Sequence, residues 1–432
     1  MTSAEVNLRL NEAMRARQAG RLADARRHFQ SVLEAEPTNP VARNVLGLDA
    51  IALGDVEEGA AHLEQACRGD PNAAELWLNL ASARARLSQP EAEREALERA
   101  LNVDQRFLPA LIRLAEIHET SGDEAAATER WTAVIALATP LAQSSPELGR
   151  LLLHARSFVE RQRSRLAESL DSALSNELAA ASAQEKRRGR AAADVMLGRR
   201  RIYANECHGL HYPFLPGDEY FDREHFPWLQ KLEAATSIIR AELEGILANS
   251  GAGFEPYVAQ PSGVPDNKWS PLDHSLDWGA LHLWKDGERN DDVCQRAPQT
   301  AALVESLPLC RIPGRAPAVF FSILKAGKRI PSHTGVTNVR SIVHLPLIVP
   351  EGCTFRVGGE TRAWVEGEAF VFDDTIEHEA ENPTDRDRAL LILDCWNPYL
   401  SEAERAAVRR MYEASDAHRT AATGASVPMR AD

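Results

Sequence analysis

The chain has 432 residues, 44% of them hydrophobic, which is enough for two or three separate cores, and its formal net charge of -14 excludes the positive field that a general nucleic-acid or anionic-membrane binder presents. Its six cysteines (Cys67, Cys207, Cys294, Cys310, Cys353, Cys395) form no C-x-x-C pair, which argues against a disulfide frame or a zinc site and for reduced thiols in the cytoplasm. The N-terminus MTSAEVNLRLNEAMRARQ has no basic segment leading into an apolar one, and no stretch is long and apolar enough to span a membrane, so a soluble cytoplasmic protein with no membrane span is expected.

Residues 6 to about 142 repeat with a period of 34. Gly20, Gly54, Ser88 and Gly122 mark the turns, Ala13, Gly47, Ala81 and Ala115 are small where two helices must approach, and Phe29, Leu63, Leu97 and Trp131 are bulky. Pro37 and Pro71 close the first two repeats. The pattern resembles a tetratricopeptide array of four repeats, with residues 1–142 as its domain. The third repeat departs most, having Ser88 for glycine and Gln105 for proline. Such arrays offer a concave groove for a peptide or protein; a dimerisation or packing module is the alternative.

Residues 143–201 read as a helical cap and linker. Leu148, Leu151, Leu152, Ala155, Phe158, Val159, Leu166, Leu170, Ala173 and Leu174 recur at helical spacing. The basic run EKRRGRAAADVMLGRRR reads as a solvated linker or helix face in preference to an anion site. A new domain, 202–414, opens with aromatic and proline-rich sequence and a helix from about Phe226. His208, His211 and His225 lack companion carboxylates or cysteines and read as loop or core histidines. Trp269, Trp278, His282 and Trp284 suggest an edge strand lining a cleft, and residues 297–309 a short helix.

From residue 318 strand-like runs dominate: AVFFSIL, RSIVHLPLIV, CTFRV-GG-ETRAW with Gly358-Gly359 as the hairpin turn, EAFVFDD and RALLILDCW. A capping box at Ser401 and Glu404 opens a last helix to about Ala414, and 415–432 is expected to be a disordered tail. His333 and His378 stand 45 residues apart at strand ends that a double-stranded β-helix would bring together, and Gly367, His378 and Asn382 fit a cupin-type half-motif. The fold class expected is therefore multidomain α + β: an α-helical tetratricopeptide solenoid followed by a jelly-roll, cupin-like domain.

The segments HTGVTNVRSIVHLPLIVPEGC, W-x-x-GEAFVFDDTIEHEAEN, Arg388 and DCWNP, with SLDWGALHLWKDGE and FFSILKAG upstream, resemble in order and spacing the aspartyl/asparaginyl β-hydroxylase family of iron and 2-oxoglutarate-dependent oxygenases. The resemblance covers roughly residues 205–400. It implies His333 and His378 as ligands of Fe(II), and Arg388 as a bidentate partner of the distal carboxylate of 2-oxoglutarate with help from Ser322. His344 would bind the carboxylate at the metal end. Where most non-haem oxygenases have a third, carboxylate ligand two residues after the first histidine, this chain has Gly335, as the family does. One departure is Ile342, where the family often has arginine; Arg340, on the same strand face, would compensate. Asp373, Asp374, Glu377 and Glu379 read as neighbours of the site or surface carboxylates, and a core role is the alternative for His344.

The implied function is a 2-oxoglutarate-dependent dioxygenase that couples dioxygen and the decarboxylation of 2-oxoglutarate to succinate with hydroxylation of an aspartyl or asparaginyl side chain. The repeats would dock the peptide or protein substrate. Alternatives are a small-molecule or lipid hydroxylase, a halogenase in which chloride takes the place that a third, carboxylate ligand at Gly335 would fill, and a repeat scaffold with a catalytically silent jelly roll.

Overall fold

The computed structural model describes residues 1–248 and 253–423, without the side chains of 142–144 and 419–423. It divides into two compact units, Met1–Ala179 and Ala180–Asp432.

The first unit is a stack of helical hairpins: α1 (Ser3–Gln18) with α2 (Leu22–Ala35), α3 (Pro40–Leu53) with α4 (Val56–Gly69), α5 (Ala74–Arg86) with α6 (Pro90–Val103), and α7 (Leu108–Ser121) with α8 (Glu124–Ala138). The 34-residue period explains the packing. Phe29, Leu63, Leu97 and Trp131 are all at most 1% exposed, and Ala13, Ala81 and Ala115 are equally buried where helices meet. The turn positions share one backbone requirement. Gly20, Gly54 and Gly122 have φ of 74°, 98° and 79°, and Ser88 keeps the left-handed conformation at 56° despite its side chain. Since a Cβ in this conformation costs about 1 kcal/mol, Ser88→Gly is expected to stabilise the array by up to that amount. A urea midpoint that falls in this variant would contradict it. The helix α9 (Pro146–Glu177) covers the end of the stack, with Leu152, Ala155, Phe158 and Val159 buried in the core shared with α8, and His154 edge-on to Trp131 and 2.9 Å from Glu119 Oε2.

The second unit contains α10 (Ala183–Met196), α11 (Leu229–Ala234), α12 (Thr236–Ala248), α13 (Asp291–Arg296), α14 (Pro298–Glu305) and α15 (Glu402–Thr423) around eleven strands. These are β1 (Glu255–Pro256), β2 (Trp278–Lys285), β3 (Glu288–Arg289), β4 (Val319–Leu324), β5 (Lys328–His333), β6 (Arg340–Ile348), β7 (Thr354–Val357), β8 (Glu360–Ala363), β9 (Phe370–Phe372), β10 (His378–Asn382) and β11 (Arg388–Trp396). Strands β4 to β11 pair antiparallel as first with last, β4 with β11, β5 with β10, β6 with β9 and β7 with β8, which is the winding of a jelly roll. The result is two sheets, β1-β2-β4-β11-β6-β9 with β3 beside β2, and β5-β10-β7-β8.

Alternation along the strands assigns the faces. Val319, Phe321, Ile323, Val343, Leu345, Leu391 and Leu393 pack outward with Leu232, Ile239 and Leu243 of the helices. Phe320, Leu324, Leu390 and Ile392 face the second sheet, meeting Ile330, Phe355, Val357 and Ala380. The inner face also carries polar side chains on the same period, Ser322, His344, Arg388 and Asp394, and these make the site.

Several boundaries differ from the sequence reading. The expected cap and linker, 143–201, divides between the units because α10 is tied to the second: Arg187 donates to the Tyr220 carbonyl at 2.9 Å and pairs with Asp218 at 3.1 Å and Glu360 at 3.0 Å. Arg188 and Arg200 of the same run pair likewise with Asp222 and Glu219. Strand β2 is not an edge, since β1 and β4 flank it, and Trp284 packs with the outer core instead of lining a cleft. The last helix continues past Ala414 to Thr423, with Arg315 forked onto both oxygens of Asp416 at 2.6 and 2.7 Å; the rest of the expected tail, 424–432, lies outside the described residues. Among the described residues no helix is long and apolar enough to cross a membrane.

Candidate active site

Jelly-roll winding places β5 beside β10, and the register sets His333 directly opposite His378 with ring centroids 4.1 Å apart. Each ring is fixed by the same local bond. His333 Nδ1 lies 2.8 Å from the Pro331 carbonyl and His378 Nδ1 lies 3.0 Å from the Ile376 carbonyl. A carbonyl only accepts, so both Nδ1 atoms carry the proton and both Nε2 lone pairs are left free. Burial pushes the His333 imidazolium down to about 4, and burial together with the neighbouring His333 holds His378 well below the ordinary range. Two neutral imidazoles with paired free lone pairs can hold a borderline metal ion. Among the described residues no group of three or more His, Cys, Asp or Glu gathers as a ligand set.

Arg388 opens β11 on the inner face and is 1% exposed. Its contacts are one donated bond to Ser322 Oγ at 3.4 Å and the Trp364 ring at 4.9 Å; Nε has no partner, and no carboxylate pairs with it among the described residues. Burial lowers its pKa to about 9. A buried guanidinium left unpaired is strongly unfavourable, so its surroundings suit an anionic guest. Ser322 is fully buried and receives a second bond from Trp278 Nε1 at 3.2 Å.

His344, on the inner face of β6, is 6% exposed and ringed by Phe355, Trp364, Phe370 and Phe372. Trp364 Nε1 donates to its Nδ1 at 3.4 Å, so His344 carries its proton on Nε2 as a donor. Burial, then Arg388, holds it neutral. Its aromatic packing and its donor role coexist.

Arg340, expected to compensate for Ile342, is engaged elsewhere. Its Nη1 pairs with Asp394 Oδ2 at 3.0 Å, and Asp394 is 2% exposed. Strand rise also separates it from His344 by about 13 Å along β6. Its charge is taken up by that aspartate, so Arg340 does not supply the expected compensation for Ile342. Ile342 faces Phe372 on one side and Asp394 on the other.

Of the acidic neighbours, Glu377 and Glu379 pair with Arg356 at 2.9 and 2.7 Å and are not directed to the histidines. Asp373 is fully buried, accepts from Thr375 and Asn205, and is raised by burial. Asp374 is different. Its Oδ1 is buried without a partner, burial raises it to about 7 against the pull of Arg340, and its carboxylate fills the space where a side chain at Gly335 would go. A Cβ built on Gly335 would lie 2.1 Å from Asp374 Oδ2. The cleft beside His333 is aromatic: Trp269 lies 4.9 Å from His333 edge-on, and Tyr257 stacks on Trp278 at 3.9 Å.

Sequence reasoning gave no role to Trp364, although it opens the segment W-x-x-GEAFVFDDTIEHEAEN that carries the resemblance, and it missed the placement of Asp374 against Gly335, Tyr257 and the place of His208, which nothing local marks. His208 is beside the first histidine's loop, with Nε2 3.2 Å from Thr334 Oγ1, whereas His225 packs on Tyr399 and His211 lies 3.5 Å from Cys207 Sγ.

Residues 233–398 match the family described as aspartyl/asparaginyl beta-hydroxylase. The chain is 38% identical over 141 residues to the human aspartyl/asparaginyl beta-hydroxylase, covering 31% of this chain and 18% of that protein, so it spans about a fifth of that relative's length. It is 35% identical over 204 residues to the ornithine lipid ester-linked acyl 2-hydroxylase of Rhizobium tropici, covering 46% of this chain and 67% of that protein. Among solved structures it is similar to the MamA protein at 19% identity, covering 42% of this chain and 97% of that one with a TM-score of 0.32.

Proposed function

Because the chain belongs to the aspartyl/asparaginyl β-hydroxylase family, we propose that it is an iron(II)- and 2-oxoglutarate-dependent dioxygenase hydroxylating an aspartyl or asparaginyl side chain of a peptide or protein docked by the helical repeats. The observation that carries this reading is the unpaired buried guanidinium of Arg388 on the same inner face as two neutral histidines with free Nε2 atoms.

The residues fit the cofactor and cosubstrate. His333 and His378 would hold the metal through Nε2, with the Pro331 and Ile376 carbonyls fixing ring orientation. Arg388 and Ser322 would take the distal carboxylate of 2-oxoglutarate by charge-assisted hydrogen bonds, and the Nε2 proton of His344 would be donated to the carboxylate at the other end. When bound, iron with 2-oxoglutarate supplies the oxidising power, consuming dioxygen and releasing succinate and carbon dioxide. The chain's own part is to orient these groups, keep its imidazoles neutral, and exclude water with the Phe355, Trp364, Phe370 and Phe372 cluster around His344.

A second substrate reading rests on the rhizobial acyl hydroxylase, of which the chain spans 67%. The test is succinate release by the purified protein with Fe(II), 2-oxoglutarate and either asparaginyl and aspartyl peptides or an acylated lipid, with products read by mass. A gain of one oxygen on a peptide is the expected result, and the same gain on the acyl chain alone selects the second reading. A chlorine isotope pair in abundant chloride would make the protein a halogenase, and absence of succinate under all conditions would leave a silent scaffold.

A further inference from the structure

The segment Asn205–Tyr212 precedes residues 233–398 and bonds to both loops that carry the histidines. On the His378 side, Asn205 Nδ2 donates to Asp373 Oδ2 at 2.7 Å and to Thr375 Oγ1 at 2.8 Å, and Glu206 N–H donates to the Thr375 carbonyl at 2.8 Å. On the His333 side, His208 N–H donates to the Gly335 carbonyl at 3.3 Å and Gly209 N–H to the Val336 carbonyl at 2.7 Å. Thr337 Oγ1 donates to the Leu210 carbonyl at 2.6 Å. The Asn338 amide then closes the run, accepting from Tyr212 N–H at 2.8 Å and donating to the Tyr212 carbonyl at 2.9 Å.

The fit leaves no slack at Gly209. A Cβ there would lie 2.8 Å from Val336 Cγ1 and 3.1 Å from the Val336 carbonyl oxygen, so any side chain pushes the two backbones apart. The two loops also meet each other, Gly335 N–H donating to the Asp374 carbonyl at 2.6 Å.

We propose that Asn205–Tyr212 is a strap that sets the separation of His333 and His378, with Asn205 and Gly209 as positioning residues; this rests on the reading of the two histidines as metal ligands. Each histidine ends a strand, His333 closing β5 and His378 opening β10, so along the chain strand pairing fixes only one side of each. The strap supplies the other side. With two protein ligands instead of three, error in their spacing has no third ligand to average against.

The test uses the full-length chain and Co(II) alone, without 2-oxoglutarate. Dissociation constants come from calorimetry, ligand geometry from the d–d absorption of bound Co(II), and folding from the unfolding midpoint of the metal-free protein. Asn205→Ala and Gly209→Ala are expected to weaken Co(II) binding by about tenfold or more and to change the d–d band shape. Arg201→Ala, an exposed residue just before the strap, keeps wild-type values. Should either variant fail to fold, Thr337→Val, which loses one hydroxyl only, is held to the same criterion. Unchanged affinity and spectrum in folded variants overturn the strap, while a wild-type chain that takes up no Co(II) overturns the metal reading itself.

Discussion

Arg388→Met is expected to leave the ligand-free protein at least as stable as the wild type while weakening 2-oxoglutarate binding by about 30-fold or more. The two halves of this result come from one fact. In the ligand-free state the guanidinium is buried with a long bond to Ser322, a ring face, and no counter-ion among the described residues. Removing such a charge in favour of an apolar side chain of similar length is neutral or stabilising by about 1–4 kcal/mol. Once 2-oxoglutarate is bound the balance inverts, because truncating one partner of a buried charge pair costs about 2–5 kcal/mol, or one and a half to three and a half decades of affinity. Arg388→Lys keeps the charge but loses the fork and should fall between, and Arg388→Ala adds a cavity to the loss. Thermal unfolding with and without 2-oxoglutarate separates these terms. The wild type gains stability on adding it and the Met variant does not. A Met variant that unfolds many degrees early, or that keeps its affinity, would remove Arg388 from the cosubstrate site.

The parts of this architecture visible in the sequence are those encoded by local period. A spacing of 34 fixes which helices pair, and it identified the turn position so well that Ser88 adopts the glycine conformation anyway. His333 and His378 were legible as residues at strand ends that a jelly roll would bring together, and they stand opposite each other. The faces of β4 and β11 were not legible, because both strands are buried along their whole length and show no alternation. Pairing partners of distant strands are not a local property, and what depended on them was misread. Arg340 and Ile342 share a face by period 2, but that Asp394 stands across from them is set by the β6–β11 register, and it is this aspartate that takes up the charge of Arg340. The strap escaped notice for the same reason, since its bonds to the histidine loops span about 126 to 170 residues of chain and use backbone groups that every sequence has. Basic residues such as Arg187 read as a solvated face because their partners, Asp218 and Glu360, lie 31 and 173 positions away.

Gly335→Asp would place a carboxylate two residues after His333, at the position from which most non-haem oxygenases supply a third ligand. It is expected to fail by collision before it can reach a metal. The carboxylate of Asp374 already fills that space, with Oδ2 2.1 Å and Cγ 2.3 Å from an added Cβ, so Gly335→Ala alone overpacks the loop by about 1–3 kcal/mol. Aspartate adds a second buried charge beside the first, and the loss should exceed 3 kcal/mol. Deleting the obstacle distinguishes collision from chemistry. In the pair Gly335→Asp with Asp374→Gly the space is vacated, and the double variant should be more stable than the sum of the single changes implies by about 2 kcal/mol. That variant then carries its carboxylate on the His333 loop. Co(II) binding is expected to tighten relative to Gly335→Asp alone, and on the proposed reading hydroxylation is expected to stay low, because a protein carboxylate would then occupy room that two histidine ligands would leave for small ligands. Strict additivity of the unfolding energies would show that the two side chains never compete for one space. Full hydroxylase activity in the double variant would show that a third protein carboxylate beside His333 does not hinder turnover.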